Sequence, residues 1–259
     1  MHKALPIFVL FLAILLISCG KKEEQQMEQD KQPAVSTADK FTPLSTEQVE
    51  TLLNKAKSRA GEINDYTQIL TQAEIKAILA KVANTEVDQV ADNEVALLET
   101  TMGTIAIAFY SDIAPEHTRS FKRLVTSGFY NGTRFHRIID TFMIQGGDIL
   151  TRDDNPDNDG SGGPGYNVPA EFNNIPHDLG ILSMARSQDP NSAGSQFFIC
   201  LSRERTSALD GQYTAFGKVI GGLDVVQAIG KVEVRASRYG EFSVPVEPVV
   251  IKSAYMVTR

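Results

Sequence analysis

The sequence FHRIIDTFMIQGGD, residues 135–148, lies in a series of short strand-like segments. Its first half belongs to a predicted strand, Arg134–Ile139, in which β-branched and aromatic residues are frequent. Two further predicted strands, 95–100 and 104–109, flank Met102 and Gly103, which indicates a hairpin. The remaining predicted strands are 181–185, 196–201, 215–219 and 249–257.

Two helices interrupt these strands. The first opens at Pro115, has Phe121 and Leu124 on its apolar face and ends at Gly128. The second runs from Leu223 to Ile229. Many short strands with two helices favour a mainly β fold, a closed antiparallel barrel capped by α-helices, over repeated βαβ units.

Three separated blocks of this region resemble the cyclophilin family of peptidyl-prolyl cis/trans isomerases. The first runs from Phe135 to Asp148, and the second comprises GILSMA at 180–185 and NSAGSQFFI at 191–199. The third comprises LDG at 209–211 and FGKV at 216–219. The resemblance covers about residues 94–258, and the segment 162–172 looks like the bacterial variety.

The resemblance implies a closed eight-stranded antiparallel barrel with a helix over each end, and an outer groove that takes an X-Pro segment. Arg137 is then the catalytic cation, and the reaction needs no cofactor. The substrate-binding residues implied are His136, Phe142, Met143, Gln145, Ala185, Arg186, Gln196, Phe198, Leu209 and Tyr213. An isomerase acting on extracytoplasmic proteins is the main hypothesis, and a module that binds proline segments with little turnover is the alternative.

Three positions depart from well-known members of the family. Ala208 stands where a large aromatic residue is common, so we expect weak binding of cyclosporin. Tyr213 stands where His is common, and Arg186 replaces a common Asn. A Ser/His hydrolase using His136 with Ser183 or Ser195 is a weaker hypothesis, because no G-x-S-x-G elbow surrounds either serine.

The N-terminus has the pattern of an export signal. Residues 1–18 contain Lys3 and an apolar run of about 14 residues, shorter than the roughly 20 that span a bilayer. The run ends at Cys19, and this resembles a bacterial lipoprotein signal in which the cysteine receives the lipid. We therefore expect a signal peptide at 1–18 and anchoring through Cys19, facing the periplasm and on the outer membrane.

The polar residues after Cys19 predict a flexible tether over 19–44. Residues 45–92 predict a short α-helical extension, with a capping box at Thr71 and Glu74. Its apolar faces need a partner, which could be each other, the downstream domain at 93–259 or a second copy of the chain. A homodimer through 45–92 is therefore a hypothesis.

Charge and composition restrict the remaining functions. A net charge of -7 argues against nucleic acid as a partner. The acidic run 155–160 has some features of a calcium loop, but Tyr166 occupies the twelfth position in place of Glu, so a solvated loop without metal is predicted. Cys200 lies in a predicted strand and is expected to be a buried, unreactive thiol.

Overall fold

The structure is a computed structural model that describes residues 40–60 and 65–259. The predicted signal peptide at 1–18, the lipidation site Cys19 and most of the predicted tether lie outside the described residues. Within the described ranges, no helix combines the length and the apolar character needed to cross a membrane.

Eight antiparallel strands form the main sheet, and two more form a separate hairpin. In chain order the strands are β1 Glu94–Thr100, β2 Gly103–Phe109, β3 Arg137–Ile139, β4 Met143–Gly146, β5 Ile181–Met184, β6 Phe197–Cys200, β7 Ala215–Gly221, β8 Val234–Ala236, β9 Phe242–Pro245 and β10 Ile251–Thr258. The main sheet has the order β10-β1-β2-β7-β5-β6-β4-β3, and β8 pairs with β9.

The two ends of the main sheet meet through the segment that precedes β3. The Gly132 N–H donates to the Ile251 carbonyl at 2.7 Å, and the Ile251 N–H donates to Thr133 at 2.8 Å. The Phe135 N–H donates to the Val249 carbonyl at 2.9 Å. The predicted mainly β fold, an eight-stranded antiparallel barrel, is therefore confirmed.

Side chains that alternate along the strands fill the interior. Ile138, Ile144 and Ile199 lie at matching positions on three neighbouring strands and are all buried in the core. Helix α3, Pro115–Ser127, covers one end of the barrel and inserts Phe121 among Phe109, Tyr130, Phe197 and Phe216. The C-cap Gly128 has a φ of 78°, a conformation that favours glycine and ends the helix.

Within the described residues, two helices precede the barrel and two shorter ones lie within its loops. They are α1 Thr46–Ala60, α2 Gln72–Asn84, α4 Arg203–Thr206 and α5 Leu223–Ile229. The predicted capping box is present at the start of α2, where the Thr71 hydroxyl accepts from the Glu74 N–H and the Glu74 carboxylate accepts from the Thr71 N–H. Helix α5 contributes Val226 and Ile229 to the core.

The apolar faces of α1 and α2 pack on the barrel of their own chain. Val49 and Leu53 of α1 form a cluster with apolar residues on the outer side of β1, β2 and β7. Gly221 makes room for this contact, because a Cβ on it would lie 2.6 Å from Val49 Cγ2. Ile75 and Val82 of α2 join the main core. The sequence left three possible partners for the apolar faces of these helices, and the structure shows contacts with the downstream domain of the same chain.

Candidate active site

Strands β3, β4 and β6 present three predicted site residues on one outer face. Arg137 is the register partner of Gln145, which in turn is the register partner of Phe198. Residues directly opposite each other on paired strands point to the same side of a sheet. The isoleucines next to them in sequence point inward, so the alternation that builds the core also aims these three side chains at the groove.

Nine of the predicted site residues line one small pocket, which we call the apolar pocket. Its volume is about 140 Å³. Its lining residues are Arg137, Phe142, Met143, Gln145, Ala185, Arg186, Phe198, Leu209 and Tyr213. The pocket therefore combines an apolar wall with two cations, Arg137 and Arg186, and the Gln145 amide at its edge, a combination suited to a small apolar ring attached to a peptide backbone.

The Arg137 guanidinium is held by two partners. Its Nε and Nη2 donate to the two carboxylate oxygens of Glu241 at 2.6 and 2.8 Å. Its Nη1 donates to Gln145 Oε1 at 3.4 Å, on the side of the apolar pocket. About a third of the Arg137 side chain is exposed, so the cation is accessible to a ligand and yet fixed in direction.

Gln145 and Gln196 continue this chain of hydrogen bonds. Gln145 Nε2 donates to Gln196 Oε1 at 3.1 Å. Gln196 Nε2 donates to the carbonyls of Gly160 and Gly162, each at 2.9 Å. Both glutamines line a second pocket of about 600 Å³, which lies beside the apolar pocket and also includes Ala185 and Arg186. Gln196 thus lies in this neighbouring pocket rather than in the apolar pocket.

Arg186 and Tyr213 form a stacked pair at the rim of the apolar pocket. The Arg186 guanidinium carbon lies 4.5 Å from the centre of the Tyr213 ring. Arg186 also donates to the Gln212 carbonyl at 2.9 and 3.1 Å. Ala208 is exposed and is not part of the pocket lining, so the rim is open at this position.

A polar network around the buried His177 and Ser183 supports the loop that carries Leu209. His177 Nδ1 lies 3.0 Å from Asp210 Oδ1, and His177 Nε2 lies 2.9 Å from the Ser183 hydroxyl. Arg203 also contacts Asp210 at 2.6 Å. Although burial opposes ionisation, hydrogen bonds from Arg203 and His177 lower the pKa of Asp210 to about 2. The His177 ring stacks on Phe198 with centroids 6.1 Å apart, so this network also backs the pocket wall.

The same network resembles a Ser-His-Asp triad, but its surroundings argue against hydrolysis. Ser183 is fully buried, and its hydroxyl donates to the Thr214 carbonyl at 3.0 Å. Ser195 is also buried and donates to the Gly147 carbonyl at 2.7 Å. A nucleophile must reach its substrate, and neither hydroxyl faces solvent. The hydrolase hypothesis for His136 therefore gains no support, since Ser183 pairs with His177 instead.

His136 lies outside the apolar pocket. It lines a third pocket of about 480 Å³, together with Arg137, Gln145 and residues of the β8–β9 hairpin; we call this the hairpin pocket. Both ring nitrogens are buried without a hydrogen-bond partner among the described residues. Burial lowers the pKa of His136 and so favours the neutral imidazole. Its predicted contact with substrate stays a prediction.

Glu241 was missed by the sequence analysis. It belongs to the turn between β8 and β9 and lies 104 residues from Arg137 in the chain. The resembling blocks do not include this turn, and no local pattern links a glutamate there to an arginine in β3.

Cys200 and the acidic loop show no sign of a further reactive group. Cys200 is buried, and burial raises the pKa of its thiol to about 12, as expected for an unreactive cysteine. Over residues 40–60 and 65–259, no group of three or more His, Cys, Asp or Glu side chains is arranged to hold a metal ion.

Comparison with known proteins agrees with this architecture. The family model described as cyclophilin type peptidyl-prolyl cis-trans isomerase matches residues 95–256. A probable peptidyl-prolyl cis-trans isomerase of Brucella abortus is 44% identical over 140 residues, which are 52% of this chain and 70% of the relative. A peptidyl-prolyl cis-trans isomerase of Acinetobacter baylyi is 40% identical over 165 residues, 62% of this chain and 84% of the relative.

A solved structure has the same fold. The crystal structure of a Cryptosporidium parvum cyclophilin type peptidyl-prolyl cis-trans isomerase, determined in the presence of the dipeptide ala-pro, is 30% identical with a TM-score of 0.55. The match covers 64% of this chain and 99% of that one.

Proposed function

The chain belongs to the family of cyclophilin-type peptidyl-prolyl cis-trans isomerases, and we propose that it isomerises X-Pro bonds of extracytoplasmic proteins with Arg137 as the catalytic cation. The observation that carries the proposal is the apolar pocket itself, in which Arg137 and Gln145 border an apolar wall. We assign the proline ring of the client to this wall.

The physical problem is a rotational barrier. Resonance of the amide gives a barrier of about 18–20 kcal/mol, although the trans isomer of an X-Pro bond is favoured by only about 0.5–1 kcal/mol. In the twisted state the amide nitrogen regains a lone pair, which accepts a hydrogen bond. A cation that donates to this lone pair stabilises the twisted state more than either planar isomer, and this difference is what lowers the barrier.

The residues of the pocket divide this work. The apolar wall, formed by Phe142, Met143, Phe198 and Leu209, holds the ring so that the preceding carbonyl rotates. Arg137 supplies a positively charged hydrogen-bond donor with a planar guanidinium group. Gln145 orients Arg137, and we assign Gln145 and Gln196 to the client backbone. No bond breaks, so the chemistry requires neither a general base nor a cofactor.

The proposed clients are proline-containing polypeptides outside the cytoplasm. This part of the proposal rests on the export signal at 1–18 and on Cys19 as the residue that receives a lipid. Uncatalysed proline isomerisation takes tens of seconds or longer, so exported chains that fold there would benefit from the enzyme. A homodimer through residues 45–92 stays a prediction, and several apolar residues of α1 and α2 are already buried against their own barrel.

Exchange spectroscopy by NMR on a short X-Pro peptide tests the activity. With the full chain in mild detergent, we expect cis and trans signals to exchange much faster than in the free peptide. Binding of the peptide without faster exchange would contradict the proposal and favour the alternative, a proline-binding module with little turnover.

Lipid labelling tests the proposed location. In a bacterial host fed a labelled fatty acid, the wild-type chain is expected to take up label and to fractionate with the outer membrane. The Cys19→Ser variant is expected to lose the label, and a Cys200→Ser variant serves as the matched control. Equal labelling of wild type and Cys19→Ser would refute the lipid anchor.

A further inference from the structure

The hairpin formed by β8 and β9 places the Glu241 carboxylate against the guanidinium group of Arg137. Its turn is closed by the Ser237 N–H, which donates to the Glu241 carbonyl at 2.7 Å, and by the Gly240 N–H, which donates to Ser237 at 2.9 Å. Gly240 has a φ of 82°, which residues other than glycine rarely adopt. The turn therefore fixes the direction in which the next residue, Glu241, leaves the hairpin.

A contact between the turn and a neighbouring loop also holds the hairpin in place. Arg238 donates to the backbone carbonyl of Asp157 in the neighbouring loop. Ser243 of β9 is buried. Hydrogen bonds from Arg137 and then Ser243 lower the pKa of Glu241, although partial burial opposes this. Glu241 is thus an anion at neutral pH, presented from a hairpin whose tip is linked to the neighbouring loop.

The geometry of the contact uses two of the three guanidinium nitrogens. Glu241 accepts from Nε and Nη2 of Arg137 at 2.6 and 2.8 Å, the paired arrangement that fits an arginine to a carboxylate. Nη1 is left on the side of Gln145 and the apolar pocket, where its bond to Gln145 is long at 3.4 Å. The Nε and Nη2 side of the guanidinium group is therefore held by Glu241, and the Nη1 side is available to a ligand.

We propose that Glu241 is a positioning residue for the isomerase reaction: it clamps Arg137 through Nε and Nη2, so that Nη1 faces the twisted amide. The proposal rests on the proposed role of Arg137. An arginine side chain loses conformational entropy when it is fixed in one rotamer. Because Glu241 already fixes Arg137 in the free protein, this entropy is not lost again when the transition state forms. The Glu241 anion also weakens the positive potential of Arg137, and this effect opposes the gain from positioning.

Replacement of Glu241 by Gln removes the charge and keeps the shape. In the full chain we expect Glu241→Gln to lower kcat for a short X-Pro peptide by about threefold to fivefold and to change KM less than twofold. This fall in kcat is the size that the loss of a partly exposed ion pair can cause. Glu247→Gln, which changes an exposed carboxylate just beyond the same hairpin, is the matched control and should leave kcat unchanged. In an Arg137→Ala background, Glu241→Gln should have no further effect.

A second readout does not depend on activity. Guanidinium NMR signals of Arg137 should report hindered rotation about the Nε–Cζ bond in wild type and in Glu247→Gln, and faster rotation in Glu241→Gln. The thermal midpoint should stay within about 2 °C of wild type, because exposed ion pairs contribute little to stability.

The possible outcomes separate this proposal from the proposed function. An inactive wild type would contradict the isomerase itself, whereas the guanidinium signals would still report whether the clamp exists. An active wild type with unchanged kcat in Glu241→Gln would overturn the positioning role. A raised kcat would also overturn it, and would show that the carboxylate restrains the enzyme by reducing the charge of Arg137.

Discussion

Truncation of Leu53 tests whether α1 is part of the folded barrel. Leu53 is only 8% exposed and packs with Val49 against the outer side of the barrel strands. Leu53→Ala removes three carbon groups at about 0.8 kcal/mol each, which gives about 2.4 kcal/mol of lost transfer free energy. A cavity adds to this, but a surface helix can settle towards the sheet, so we expect a total of about 3 kcal/mol.

This loss is large enough to measure by thermal denaturation. For a chain of this size, about 3 kcal/mol corresponds to a fall of about 6–12 °C in Tm. Leu52→Ala is the matched control, because Leu52 is the neighbouring residue of the same helix and is only partly buried. It should cost about 1 kcal/mol or less. Equal costs at the two positions would refute the docking of α1, since Leu53 is buried more deeply in the contact with the barrel than Leu52.

Two further changes test the charge and the shape of the groove region. Burial and then Asp148 raise the pKa of Asp159 from 3.8 to about 6, so the folded state favours the protonated acid and stability should fall as the pH rises from about 3.8 to about 6. Because Asp159 is partly solvated, we expect the free energy of unfolding of Asp159→Asn to exceed that of wild type by about 1 kcal/mol above pH 6 and to be similar below pH 4. Urea titrations at several pH values measure this difference, and the same difference at every pH would contradict the prediction. At the open rim, Ala208→Trp should strengthen cyclosporin binding about tenfold, because about 60 Å² of added apolar contact is worth about 1.5 kcal/mol; calorimetry that shows unchanged affinity would mean that the indole does not reach the ligand.

The barrel was accessible from sequence because its strands carry strong local signals. The predicted strands are rich in β-branched and aromatic residues. In the folded sheet, a one-residue shift in register would reverse every side chain. The end of α3 at Gly128 followed from the requirement for a left-handed C-cap. The residues of the apolar pocket came from resemblance, which the register pairing of Arg137, Gln145 and Phe198 then explains in physical terms.

The β8–β9 hairpin was not predicted, since its sequence mixes charged, aromatic and small residues without clear alternation. Its turn depends on Gly240, but one glycine among many carries little information. The contact between Glu241 and Arg137 joins residues 104 positions apart, and only the assembled barrel brings them together. For the same reason the sequence could not choose the surface on which α1 packs.

The partnership of His177 with Ser183 shows a related limit. The sequence analysis singled out His136 as the histidine of interest, through the family resemblance and the hydrolase hypothesis. The structure instead joins His177, Ser183 and Asp210 in a hydrogen-bond network behind the pocket wall. Burial decides between a nucleophile and a supporting hydroxyl, and burial is a property of the whole fold.

The most direct test of the account compares binding and turnover of one X-Pro peptide in wild type and in Arg137→Ala. If Arg137 stabilises the twisted amide more than the planar one, the catalysed exchange rate should fall at least about a hundredfold, while the Kd measured in the same titration changes less than about fivefold. A fall in affinity that matches the fall in rate, or a rate that survives the substitution, would contradict the assignment of Arg137 as the catalytic cation.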